Sequence, residues 1–195
     1  LKYNPDYTSV INQKHYERLN GLLSDAKDHG AELVEINPAN EDFSQQESHK
    51  IPPTLVLNPT DEMQIMKEEI FGPLLPIKTY KDINEPINYL NKNDKPLGLY
   101  YFGNNKNEEA KVVNSTTSGG VTVNDIMGHI QQNEEGFGGV GPSGMGKYDG
   151  FDGFMNFSNN KPIYKQIGFG LDKLLDAIRP PYKGSIEDVL KKLLK

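Results

Sequence analysis

The sequence predicts an α/β fold. Between residues 75 and 124, strand-like runs alternate with helix-like runs of about ten residues, a spacing that suits crossovers between neighbouring parallel strands. Glycines and an Asn-Asp pair punctuate the joints of that alternation. The composition is lean for a domain that must bury its own core: 35% of the 195 residues are hydrophobic and the mean hydropathy is -0.64.

The first element is a helix. Thr8 is a suitable cap, and Val10, Ile11, Leu19, Leu22, Leu23 and Ala26 recur on roughly one face until Gly30 ends it. A short strand follows over 32–36. Residues 37–50 are polar, include a proline and are expected to form a long exposed loop. A strand over 54–57 comes next, then a short acid-headed helical turn over 60–69 through Met63 and Met66. Strands over 75–80, 98–102 and 119–124 alternate with helices over 82–91 and 107–115. Glycine dominates 136–153, where backbone conformations that side chains forbid are expected, and the α/β unit ends there. The tail holds a strand-like piece around 162–167, a helix over 171–178 and a turn at Pro180-Pro181. A final amphipathic helix carries Ile186, Val189, Leu190, Leu193 and Leu194 on one face. Such a stripe packs on the body or a partner subunit more often than on a membrane surface.

Charge and composition exclude several classes. Twenty-one Lys and Arg against 27 Asp and Glu leave a net charge of -6, with both signs interspersed, so no nucleic-acid or anionic-lipid footprint is expected. No apolar run approaches a membrane span. The chain has no cysteine, which excludes disulfides, thiolate metal sites and a cysteine nucleophile within it. His15, His29, His49 and His129 lack metal-ligand spacing and read as surface or supporting residues, so no metal site is expected. The sequons at Asn114 and Asn156 read as accidental. Leu1-Lys2 is neither an initiator Met nor a signal peptide, which suggests a piece of a longer protein.

Gly139, Gly141 and Gly144 spell G-x-G-x-x-G, but a polar stretch precedes them, Pro142 interrupts them and no long helix follows. They read as a structural turn in which two backbones approach closely. Ser143 lacks the strand and G-x-S-x-G frame of a nucleophile elbow. The most unusual string is Lys67-Glu68-Glu69-Ile70-Phe71-Gly72-Pro73-Leu74-Leu75-Pro76. One reading is a helix-terminating turn with Phe71 in the core. The other is a carboxylate that accepts hydrogen bonds from ligand hydroxyls, beside an aromatic face for a flat ring.

Glu68-Glu69-Ile70-Phe71-Gly72-Pro73 resembles the E-E-I-F-G-P signature of the aldehyde dehydrogenase superfamily. Ser118-Gly119-Gly120-Val121-Thr122-Val123-Asn124-Asp125 is similar to a second family block. Phe137-Gly138-Gly139, with Ser143-Gly144-Met145-Gly146, is similar to F-G-G-x-x-x-S-G-x-G, and Phe154 with Phe157-Ser158 to F-x-x-F-S. Asn4-Pro5-Asp6-Tyr7 with Ile11-Asn12 resembles the class 3 branch, which includes coniferyl aldehyde dehydrogenases.

The resemblance implies the C-terminal part of the aldehyde dehydrogenase fold. Residues 1–145 would be a partial catalytic domain, and 146–195 a return segment, oligomerisation strand and terminal helices. The nucleophilic cysteine and general-base glutamate would lie upstream, leaving no catalytic residue here and an inactive fragment. Glu69 would hold the nicotinamide ribose hydroxyls of NAD or NADP, Phe71 would pack near the nicotinamide, and the N-terminal domain would bind most of the cofactor. Asn124, Ile126, Met127 and Ile130 would line the pocket of an aldehyde substrate, with an aromatic, coniferyl-type aldehyde as the candidate. The whole would be a cytoplasmic homo-oligomer, a dimer, with no nucleic-acid or membrane partner. Two other readings compete: a non-catalytic oligomerisation or binding domain from a split gene, and part of a related acyl-phosphate or acyl-CoA reductase. Two positions depart from the family pattern: Gly136 stands where a proline is usual, and Asp149 where a histidine is common.

Overall fold

The computed structural model describes residues 1–166, 179–180 and 186–194. The chain forms two units, one of Leu1–Asn93 with Ala110–Thr116 and one of Asp94–Glu109 with Thr117–Lys195.

The first unit is organised by helix α1 (Gln13–Asp28). Asn12 caps it, not Thr8: Asn12 Oδ1 accepts from His15 N at 2.9 Å and satisfies one free amide of the first turn. The start lies later than the periodicity suggests because Val10 N donates to His49 O at 3.0 Å, tying Val10 to a distant loop before the helix begins. The end follows expectation. Gly30 adopts φ +86, its N–H bonds Lys27 O at 3.0 Å, and Ala31 N bonds Ala26 O at 2.9 Å, a Schellman closure.

Three strands lie in the order β1 (Glu32–Glu35), β2 (Thr54–Leu57), β3 (Leu74–Ile77). β1 pairs antiparallel with β2, and β3 pairs parallel with it. Leu19, Leu22 and Ala26 of α1, Val56 of β2 and Leu74 of β3 form the core with Met63 and Ile65. The helical turn expected over 60–69 shrinks to a 3-10 turn, Gln64–Met66, because Met63 is extended and inserts into the core. Asp25 Oδ2 accepts from Gln64 N at 2.8 Å, which fastens that turn to α1.

Residues 37–50 form no helix or strand, as expected, but they are anchored rather than simply exposed. Lys50 is buried and its Nζ donates to Asn4 O at 2.6 Å. Gln46 bonds both backbone groups of Lys50, and Tyr7 OH donates to Ile51 O at 2.6 Å. Further on, α2 (Asn84–Lys92) is tethered through Asp61, which accepts from Lys78 and from Tyr89. The hydrogen bond from Lys78, then that from Tyr89, holds the Asp61 carboxyl below its usual range, so this tether persists at neutral pH and is lost as pH falls through that lowered value.

In the second unit β4 (Gly98–Tyr101) pairs parallel with β5 (Gly120–Val123), with Gly98 opposite Gly120. The connection between them carries α3 (Lys106–Ser115), the crossover that the alternation implies. The strands fall into two small sheets instead of one, β1–β3 in the first unit and β4 and β5 in the second. Gly119 lies between two backbones: a Cβ there would stand 2.2 Å from Gly138 O and 2.5 Å from Leu97 O. The G-x-G-x-x-G run is a tight turn, as its context implied. Gly141 bridges Gly144, Ser143 Oγ accepts from Val140 N at 2.8 Å, and Phe137 and Tyr148 exchange backbone bonds at 2.7 and 2.9 Å.

A short helix, α4 (Gly150–Asn156), follows where glycine content had not suggested one. No strand forms over 162–166, where no described strand lies alongside to complete its ladder. The helix expected over 171–178 lies outside the described residues, as do Ile167 and Pro181. The terminal helix is present as α5 (Ile186–Leu193), with Leu190 and Leu194 exposed.

Leu19 is fully buried at the centre of the first unit. Leu19→Ala in the full-length polypeptide is expected to lower the unfolding free energy of this region by about 2–5 kcal/mol in urea titration. A loss below roughly 1 kcal/mol would contradict the assigned core.

Candidate functional site

In the first unit, the string 68–73 is held at both ends. Arg18 reaches from α1, and its guanidinium donates to Glu69 O at 3.2 Å and to Ile70 O. The same guanidinium pairs with the Glu68 carboxylate at 3.6 Å. On the far side, the chain passes directly over Leu19: a Cβ on Gly72 would lie 2.5 Å from Leu19 Cδ1. Pro73 O then accepts from Thr54 N at 2.9 Å and leads into β3.

Between these fixed points Phe71 adopts φ +47. That is an outlier for a bulky side chain, worth on the order of 1–3 kcal/mol, and it persists only where its surroundings over-determine it. The ring is 69% exposed, which overturns the reading of Phe71 as a core residue. The adjacent glutamates differ in state. Glu68 is engaged by Arg18, whereas the exposed Glu69 carboxylate has no hydrogen-bond or ion-pair partner among the described residues. An acceptor-only carboxylate and, two residues on, an accessible aromatic face suit a ligand with paired hydroxyls and a flat ring.

The other site residues expected from sequence lie in the second unit, on the loop after β5. Asn124 adopts φ +56, and its amide is engaged at both ends: Oδ1 accepts from Gly103 N at 2.8 Å and Nδ2 donates to Gly103 O at 2.9 Å. It adds a side-chain rung to the β4–β5 pair and starts the loop in a fixed direction. Asp125 Oδ1 accepts from Ile126 N at 2.8 Å, and Ile130 N donates to Met127 O at 3.0 Å. Ile126 and Met127 are exposed, and Ile130 is half-buried. The loop thus presents apolar side chains on a hydrogen-bonded frame.

Both departures from the family pattern have structural settings. A Cβ on Gly136 would stand 2.4 Å from Asp152 Oδ2, so this turn packs against α4. Asp149, at φ 67 and ψ 160, occupies a region that is essentially glycine-only. Arg18 escaped sequence reading, since nothing in its neighbourhood marks it and its acceptors lie 51 and 52 residues away. Among the described residues, no group of three or more His, Cys, Asp or Glu could hold a metal ion, and no helix is long and apolar enough to cross a membrane.

Residues 1–163 match the aldehyde dehydrogenase family. A probable coniferyl aldehyde dehydrogenase of Caulobacter vibrioides is 52% identical over 190 residues, covering 97% of this chain and 39% of that protein. Aldehyde dehydrogenase family 3 member A2 of Mus musculus is 40% identical over 163 residues, covering 83% of this chain and 31% of that protein. The substrate-bound structure of Staphylococcus aureus AldH superposes with a TM-score of 0.71 at 35% identity, covering 99% of this chain and 40% of that one. The chain therefore spans about two fifths or less of these relatives. With that match, and with the α/β architecture these solved enzymes share, the chain belongs to the aldehyde dehydrogenase family.

Proposed function

We propose that this chain is the C-terminal part of an NAD(P)-dependent aldehyde dehydrogenase that oxidises an aromatic, coniferyl-type aldehyde to its carboxylate. The observation that carries the reading is the Glu69 carboxylate, without a partner among the described residues, two positions before the exposed, strained Phe71, both inside the family signature. In this reading Glu69 accepts hydrogen bonds from two hydroxyls of the nicotinamide ribose, and Phe71 packs its face beside the ring. The bound dinucleotide supplies the hydride acceptor. Arg18 keeps Glu68 from competing and holds the backbone that aims Glu69. Ile126, Met127 and Ile130 give apolar walls to the aldehyde, while Asn124 fixes where their loop begins.

The chain has no cysteine, so the thiolate that attacks the aldehyde belongs to polypeptide outside it, and in this reading the family's general-base carboxylate lies there too. Residues 1–145 act as part of the catalytic domain, and 146–195 as return segment, oligomerisation strand and terminal helices of a cytoplasmic homodimer. Exposed Met145, Phe151 and Phe157 support a role for this region in contacts beyond the chain. The coniferyl substrate rests on the name borne by the Caulobacter vibrioides relative.

The chain by itself is expected to form no NAD(P)H from aldehydes, because a covalent nucleophile and base account for most of an acceleration of typically ~10⁶-fold or more. Reproducible aldehyde-dependent NAD(P)H formation by the pure chain would overturn the assignment of the nucleophile elsewhere.

In the full-length polypeptide, Glu69→Gln keeps size and one acceptor but removes the charge that strengthens each hydrogen bond, worth about 1.5–3 kcal/mol. A misplacement of about 1 Å can cost around 10²-fold, so kcat is expected to fall about tenfold or more while the cofactor KM changes less. A deuterated aldehyde should then show a larger isotope effect. An unchanged kcat and isotope effect in a folded variant would return Glu69 to the role of a turn residue.

A further inference from the structure

His129 sits at the base of the loop 124–130, and neither the cofactor contacts nor the pocket walls use it. Its imidazole lies across a floor left open by two glycines that face each other in the β4–β5 register. A Cβ on Gly120 would stand 2.4 Å from His129 Cδ2, and one on Gly98 would stand 3.2 Å from Cε1. The opposed glycines thus leave room for this ring.

Thr122 holds the residue at two points. Its Oγ1 accepts from His129 N at 3.1 Å and lies 2.8 Å from His129 Nδ1. The hydroxyl is on β5 and the residue is buried, so the anchor is rigid. Tyr100 and Phe137 flank the imidazole with ring centroids at 5.7 and 6.0 Å. Tyr100 also donates its hydroxyl to Met127 Sδ at 3.6 Å, so one tyrosine touches both the histidine and a pocket residue.

Residues 127 and 130 lie on either side of this anchor in the chain. Met127 adopts φ +60, and Ile130 N donates to Met127 O at 3.0 Å. A turn that tight, with a strained methionine in it, transmits the placement of residue 129 to both neighbours. We propose that His129 is a positioning residue. By docking on the Gly98–Gly120 floor and Thr122, it sets the apolar surface of Met127 and Ile130 to the shape of a flat, bulky aldehyde. The proposal rests on the assignment of residues 124–130 to the aldehyde pocket.

A purely structural histidine would lower stability and affect all aldehydes alike, whereas a positioning residue changes the ratio between aldehydes. The test is steady-state kinetics of the full-length enzyme with cinnamaldehyde and acetaldehyde. His129→Ala is expected to raise the KM for cinnamaldehyde about tenfold or more, with the acetaldehyde and cofactor KM values moving less than about twofold. Thr122→Val keeps the shape of the anchor and removes its oxygen. It should shift the same ratio in the same direction and add little to His129→Ala in the double variant. His129→Asn retains a polar atom near the Nδ1 position and should recover part of the loss.

Equal losses for both aldehydes, or fully additive effects of the two positions, would overturn the proposal. If His129→Ala fails to fold, Thr122→Val and His129→Asn decide on the same ratio. Met127→Ala separates the two levels. If it changes the cinnamaldehyde KM while the His129 and Thr122 variants do not, the positioning role alone falls. If it leaves both aldehydes unchanged, the pocket assignment falls and the positioning role falls with it.

Discussion

Arg18 projects from the middle of helix α1 onto backbone carbonyls that lie 51 and 52 residues further along the chain. A guanidinium is a rigid, planar fork of donors, so two carbonyls and a carboxylate can be fixed by one side chain in one orientation. The next residue of the helix, Leu19, points about 100° away around the axis into the core and sets the surface over which Gly72 passes. One turn of α1 therefore determines both ends of the string 68–72. Without that clamp, Phe71 would be free to relax from its left-handed conformation, and nothing would distinguish Glu69, which has no partner among the described residues, from the engaged Glu68.

The second unit uses a related device, with glycines in place of a guanidinium. Gly119 is enclosed by the carbonyls of Gly138 and Leu97, and the opposed Gly98 and Gly120 leave the floor that His129 fills. In the first unit Gly72 lets the chain pass over the Leu19 side chain, and in the second the glycines admit backbone and ring atoms closer than a Cβ would permit. Phe71, next to Gly72, and Met127, two residues before His129, adopt positive φ. Asparagines such as Asn40 and Asn58 tolerate positive φ readily, but Phe71 and Met127 do not. That these two lie in the stretches proposed to meet cofactor and aldehyde fits strain retained where its geometry is used.

Much of the architecture is legible in local pattern. The apolar periodicity of α1, the short strand over 54–57 and the strand-helix rhythm from 75 to 124 all correspond to observed elements, since each is decided by residues near in sequence. What pattern reading misses is decided at a distance. Thr8 and Asn12 are both good caps, and the bond from Val10 to His49 settles which one is used. Helix α4 forms although Gly150 and Gly153 lower its propensity, because Gly150 fits against Glu134 where a Cβ would stand 2.3 Å from its carbonyl oxygen. The candidate site follows the same division. Glu69 and Phe71 stand out as a motif, but which of two neighbouring carboxylates is free depends on Arg18, and the anchoring of His129 depends on a glycine pair formed only when two strands meet.

The most direct measurement is a crystal structure of the full-length polypeptide with its nicotinamide dinucleotide bound. With the clamp and the proposed cofactor contact both correct, Glu69 carboxylate oxygens should lie about 2.5–2.9 Å from two ribose hydroxyls. Phe71 should keep its positive φ and Arg18 its bonds to the carbonyls of Glu69 and Ile70. A ribose held by other groups, with Glu69 left in solvent or exchanged for Glu68, would contradict the account.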